Sequence, residues 1–162
     1  MTVLEAIADR IIVREGGIAD VGDGAGLTSF GQTSAWLAQY GLTAPTSAAE
    51  ARANYLQVWA LTKLSGIAAA DDLLADVVLD FAVNAGERVS IRTLQIVLSL
   101  TADGAWGPQT QAAVDAADRR RLAAKVLAEQ VAHYGAVITK NPARAKFAHG
   151  WMNRKAEQIA RL

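Results

Sequence analysis

One stretch, residues 16–42, interrupts a chain that otherwise reads as helix. Before it, Thr2 and Glu5 form a capping box, in which the hydroxyl accepts from the Glu5 amide and the carboxylate reaches back. Leu4, Ile7 and Ile11 then recur at helical spacing. After it, Ser47 and Glu50 follow Pro45 as a second box, opening a helix predicted to run to about Leu64 with Gly66 as its stop. Further helices are predicted over about 71–83, with Leu74, Val77, Val78 and Phe81 facing inward, and over about 90–98. Pro108 after Gly107 suits a first helical position and opens a helix through "QTQAAVDAAD". A long helix over about 119–138 and a last one from Asn141-Pro142 complete the chain. The interruption is too long for an ordinary connection. Phe30, Trp36, Leu37 and Tyr40 give it too much apolar surface to be disordered. The expectation is a mainly α fold: a helical bundle with one long glycine-rich loop or short β-hairpin and a small helix near 34–40.

The first helix aims a carboxyl at that interruption. Glu15 follows Ile11 by four residues, so at about 100° per residue it shares the stripe of Leu4, Ile7 and Ile11. The helix gives way just there, at Gly16-Gly17. A carboxyl held against apolar surface favours its protonated form, which is what a general acid needs. Asp23 comes eight residues later and Thr28 thirteen residues later, both inside the non-helical segment. An acid at a helix end, with a second carboxylate and a hydroxyl on a hairpin-like excursion, is the layout of a glycosidase cleft. The segment has no lysine and follows a helix, so it is not a phosphate loop. "GDGAG" lacks the alternating oxygen ligands of a calcium loop.

Bulk properties narrow the classes further. The 162 residues are 52% hydrophobic and 20% charged, enough to bury a core. Sixteen basic residues balance sixteen acidic ones, which argues against nucleic-acid binding by bulk electrostatics. There is no cysteine, hence no disulfide or thiolate metal site. His133 and His149 lack ligand spacing, so no metal and no cofactor is expected. Asp71, Asp72, Asp76 and Asp80 break up the most apolar stretch and rule it out as a membrane span. The N-terminus has neither a basic n-region nor a cleavage site, and no signal peptide is read there.

At Glu15-Gly16-Gly17, Asp23, Gly26, Thr28, Phe30-Gly31 and Thr33 the sequence resembles glycoside hydrolase family 108, the peptidoglycan N-acetylmuramidases of phage lysins and related secretion-linked enzymes. Gln32 stands where an aliphatic residue is usual, and the gap from Glu15 to Asp23 is one residue short. Asp20 and Asp23 therefore both remain candidates for the second carboxylate. The second half resembles the peptidoglycan-binding region that follows the catalytic region in that family. Its marks are Phe81-Ala82-Val83-Asn84-Gly86, Leu94-Gln95, Asp103-Gly104, Gly107-Pro108, Thr110 and the closing "GWMNR".

The resemblance implies an α+β, lysozyme-like fold, with a catalytic region over 1–83 and a peptidoglycan-binding region over 84–162; since no linker-like stretch separates them, one compact body is expected. It implies hydrolysis of the β-1,4 bond between N-acetylmuramic acid and N-acetylglucosamine, with Glu15 as general acid and Asp23 and Thr28 managing water or charge. It implies a monomer acting on the wall, exported through a holin if phage-encoded, with no stable membrane association. Phe30 and Gln32 are candidates to line the cleft. Asn84 could cap its helix or point into the cleft. Asp103-Gly104 and Gly107-Pro108 read as a tight turn and helix start, with a wall contact by an exposed Trp106 as the lesser reading. Trp36, Tyr40, Tyr55, Trp59 and Trp151 read as core.

Overall fold

The computed structural model describes residues 1–16, 18–20, 27–69 and 72–162. The fold is mainly helical, as the periodicity predicts, with eight α-helices and one small three-stranded antiparallel sheet among the described residues. The chain divides into two compact units, Met1–Ala69 and Ala70–Leu162.

In the first unit, α1 (Val3–Glu15) starts at the expected capping box, with Thr2 N donating to Glu5 Oε2 at 2.6 Å and Glu5 N to Thr2 Oγ1 at 3.2 Å. It stops at Gly16, whose left-handed backbone (φ 74°) lets its N–H close on Ile12 O. Strands β1 (Ile18–Asp20), β2 (Leu27–Ser29) and β3 (Gln32–Thr33) follow in that order across the sheet. Thr28 on the central strand pairs with Ala19 on one side and Thr33 on the other. Ser29 faces Gln32 across a two-residue turn, Phe30-Gly31. Both turn residues have positive φ, 52° and 81°, the backbone of a type I′ hairpin turn.

Thr33 then caps α2 (Ser34–Tyr40), and Ser47 caps α3 (Ala48–Leu61). The expected stop at Gly66 is not used. The helix ends at Leu61, Lys63 turns left-handed (φ 62°), and a 3-10 helix over Leu64–Ala69 takes in Gly66. Leu64 and Ile67 are both fully buried, and the early bend is what turns them inward. They join Ile7, Ile11, Tyr55 and Trp59 in the core of this unit.

The second unit holds α4 (Asp72–Ala85), α5 (Glu87–Val97), α6 (Pro108–Ala116), α7 (Arg119–Lys140) and α8 (Ala148–Ile159). A 3-10 helix over Pro142–Phe147, capped by Asn141, precedes α8. Helix α4 packs on α5 and α7. The boundary therefore falls at Ala69–Ala70, not at 83–84, and α4 goes with the helices that follow it. Leu74, Val77, Val78 and Phe81 are buried as predicted, but so are Asp76 and Asp80. Among the described residues no helix is long and apolar enough to cross a membrane.

Candidate active site

Glu15 is the last residue of α1, half-buried, with its Oε1 shielded from solvent. The hairpin turn rests directly on it. A Cβ at Gly31 would lie 2.5 Å from Glu15 Cγ, 2.9 Å from Glu15 Cδ and 2.8 Å from Tyr55 Oη. Only glycine fits there, because the left-handed backbone and the close approach both exclude a side chain. The carboxyl arm and the Tyr55 phenol thus flank the same point beside the Gly31 backbone.

Helix α3 holds the turn from both ends. Tyr55 Oη donates to the carbonyl of Phe30 at 2.7 Å. Gln32 Nε2 donates to the Ala51 carbonyl at 2.8 Å, and Gln32 Oε1 accepts from Asn54 Nδ2 at 2.9 Å. Ala51, Asn54 and Tyr55 share one face of α3, being spaced three and four apart. Gln32 is 1% exposed with both ends of its amide engaged, so it braces the hairpin and does not line an open cleft. This corrects its expected position. An aliphatic residue there could not make either bond.

Thr28 lies on the same hairpin, and its Oγ1 is buried without a hydrogen-bond partner among the described residues. A buried hydroxyl in that state is available to a water or ligand. Asp20 ends β1, while Asp23 lies outside the described residues. Tyr55 stacks on Trp59 at 5.7 Å and both are buried, as expected of core residues. Trp36, by contrast, meets Tyr40 edge-on at 5.4 Å with both rings only half-buried, and Trp151, also expected in the core, is half-buried too.

Asn84 and Trp106 belong to the second unit. Asn84 Nδ2 donates to the Asp80 carbonyl at 2.9 Å, satisfying the end of its own helix. Trp106 is 7% exposed, with Nε1 bonded to Gln111 Oε1 at 2.9 Å, so it offers no open ring face for a sugar to stack on. The Asp103 turn is tied by Gln95, whose Nε2 reaches Asp103 Oδ1 at 2.8 Å and Thr110 Oγ1 at 3.2 Å while its Oε1 accepts from Gly104 N at 2.9 Å. The Ala105 amide and then the Gln95 amide hold the Asp103 carboxyl below its ordinary range. A surface depression of about 230 Å³ adjoins this turn. Its Asp103 and Thr110 both already accept from Gln95.

The buried aspartates of α4 anchor α8. Lys155 Nζ sits 3.4 Å from Asp80 Oδ2 and donates to Gln130 Oε1 and Gln158 Oε1 at 2.8 Å each. Arg161 bonds Asp76 at 2.8 Å and Asp72 at 2.9 Å. Burial pushes the Lys155 ammonium down, and Asp80 opposes that. Among the described residues no cluster of three His, Asp or Glu could hold a metal ion. Burial lowers His133, whose ring packs edge-on against Phe81 at 5.3 Å.

The architecture is a mainly helical chain in two units, one carrying a carboxyl packed against a hairpin turn and the other a helical bundle closed by buried ion pairs. Comparison with known proteins places it further. Residues 89–156 match the family model described as "Predicted Peptidoglycan domain", which ties this part of the second unit to peptidoglycan. No curated protein matches the chain. Among solved structures, SagA of Brucella abortus is similar over 98% of this chain and 92% of its own, with 23% identity and a TM-score of 0.72. That likeness shows a shared fold.

Two features of the site were not foreseen in the sequence. Tyr55 reads as one more core aromatic in α3, and nothing local connects it to Phe30, which lies 25 residues earlier. Gly31 stands inside the motif, yet its closeness to Glu15 depends on how the hairpin folds back.

Proposed function

We propose that the chain is a peptidoglycan hydrolase, an N-acetylmuramidase of the family 108 type, with Glu15 as general acid. The observation that carries this reading is the half-buried Glu15 carboxyl at the end of α1, packed against the Gly31 backbone of the hairpin turn. The peptidoglycan match of residues 89–156 supports the substrate class. The glycosidase likeness of the first unit rests on its motif.

In this reading Glu15 gives its proton to the oxygen of the β-1,4 bond as that bond breaks toward an oxocarbenium-like state. Asp20 or Asp23, with Thr28, acts on the other face of the sugar by directing a water or steadying charge. Water activation by a second carboxylate predicts inversion, which requires carboxyls roughly 6.5–9.5 Å apart. The setting in this reading is the cell wall. A holin encoded beside it marks a phage lysin, and its absence marks a cell-encoded muramidase that opens the wall for secretion.

The test is Glu15→Gln in the full chain, assayed on purified peptidoglycan sacculi. Release of reducing ends drops by about 10²–10⁴-fold, as for loss of a general acid, while binding to sacculi is kept. Mass analysis of the digest shows N-acetylmuramic acid at the new reducing end. Full activity in the folded variant rejects the assignment. Binding without any cleavage by the wild-type chain favours a non-catalytic wall-binding module, the reading that the peptidoglycan match alone would suggest.

A further inference from the structure

Tyr55 stands out among the groups the proposed chemistry leaves unused. Its ring is 1% exposed and packed, tilted against Trp36 at 5.6 Å and stacked on Trp59 at 5.7 Å. Aromatic packing of this kind would be met equally by phenylalanine. The hydroxyl therefore has a separate purpose. It donates to the Phe30 carbonyl at 2.7 Å, which fixes the peptide plane leading into Gly31. Gly31 in turn leaves no room for a methyl group between its own backbone, the phenol and the Glu15 side chain. The contacts form one chain: α3 bonds the turn, and the Gly31 backbone within that turn packs against the Glu15 side chain.

We infer that Tyr55 is a positioning residue for Glu15, fixing the general acid through the Phe30-Gly31 turn without itself entering the reaction. The inference rests on the muramidase reading for its consequence in catalysis, but its geometric content is independent of that reading. The turn lies in a hairpin whose strands are three and two residues long, too short to hold a backbone position by pairing alone. A rigid aromatic on a helix supplies what the strands lack, since groups held on helices are placed more exactly than groups on loops.

The experiment is Tyr55→Phe in the full chain, which keeps the ring and its stacking and removes only the hydroxyl. Two readouts are taken: the ¹³C resonance of the Glu15 carboxyl, assigned by comparison with Glu15→Gln, and kcat and KM separately on sacculi. The expected result is a folded variant with a moved Glu15 resonance, unchanged KM and a kcat lower by about tenfold to hundredfold, the scale of a small misplacement of a reacting group. Gly31→Ala should move the same resonance from the other side. An unmoved resonance in Tyr55→Phe overturns the inference, whatever the activity. A moved resonance in a chain whose wild type cleaves nothing leaves the positioning role standing and removes the muramidase reading instead. A moved resonance with an unchanged kcat overturns the catalytic consequence.

Discussion

Glycine at position 31 is where the site is most exposed to a single change. Its φ of 81° is a backbone that alanine adopts at a cost of about 1–2 kcal/mol. The added methyl would also meet Glu15 Cγ at 2.5 Å, so something must move. Gly31→Ala is expected to lower stability by at least that amount, seen in thermal unfolding, and to cut wall cleavage about a hundredfold. Unchanged activity would mean that the carboxyl is not set by the turn. The half-buried place of Glu15 at the end of α1 was legible beforehand because it rests on helical period, a local property. The partnership of Gly31 with Tyr55 was not legible, because it joins residues that only tertiary folding brings together.

Among the elements, the capped starts were readable and the ends less so. Thr2, Ser47 and the Gly107-Pro108 step mark helix beginnings through chemistry confined to one turn. The end of α3 answers to burial of Leu64 and Ile67 farther along, so Gly66 misled. Helix α4 shows the same limit: Asp76 and Asp80 look like a solvated face until Lys155 and Arg161, about 80 residues later, are seen to meet them. The turn between α5 and α6 makes its own prediction. Asp103 has a folded pKa below its ordinary 3.8, so its carboxylate adds stability that is full above that value. The gain is lost as pH falls through the lower folded value. Thermal unfolding of wild type and Asp103→Asn from about pH 6 to about pH 2 should show a wild-type advantage that closes on the acid side. An advantage that persists at the acid end would assign the stability to some other group.

For the whole molecule, the useful fact is where the chain divides. Composition gave no sign of a linker, and the expected boundary at 83–84 followed the motif rather than the packing. The contacts place α4 with the later helices, since Asp80 of α4 pairs with Arg154 and Lys155 of α8 and α4 packs on α5 and α7. A fragment beginning at Ala70 therefore keeps its buried charges paired, whereas one beginning at Asn84 strands Lys155 without Asp80. The first fragment is expected to show cooperative helical unfolding and to sediment with purified sacculi. The second is expected to be unfolded, losing the several kcal/mol that follow from leaving a buried charge unpaired. Circular dichroism with a sacculus pull-down on both fragments decides it, and a well-folded second fragment would argue against the division.

The bonds from α3 to the hairpin have a consequence for how such a site varies between relatives. Because Ala51, Asn54 and Tyr55 hold the two ends of the Phe30-Gly31 turn, positions 30–32 and 51–55 constrain one another. A change at Gln32 to an aliphatic side chain removes both amide bonds and leaves Asn54 Nδ2 with its bond to the Thr43 carbonyl at 3.1 Å. Substitutions on the two segments should therefore occur in matched sets, and the heritable piece is the helix, the turn and the bracing helix together rather than the glutamate and its two glycines.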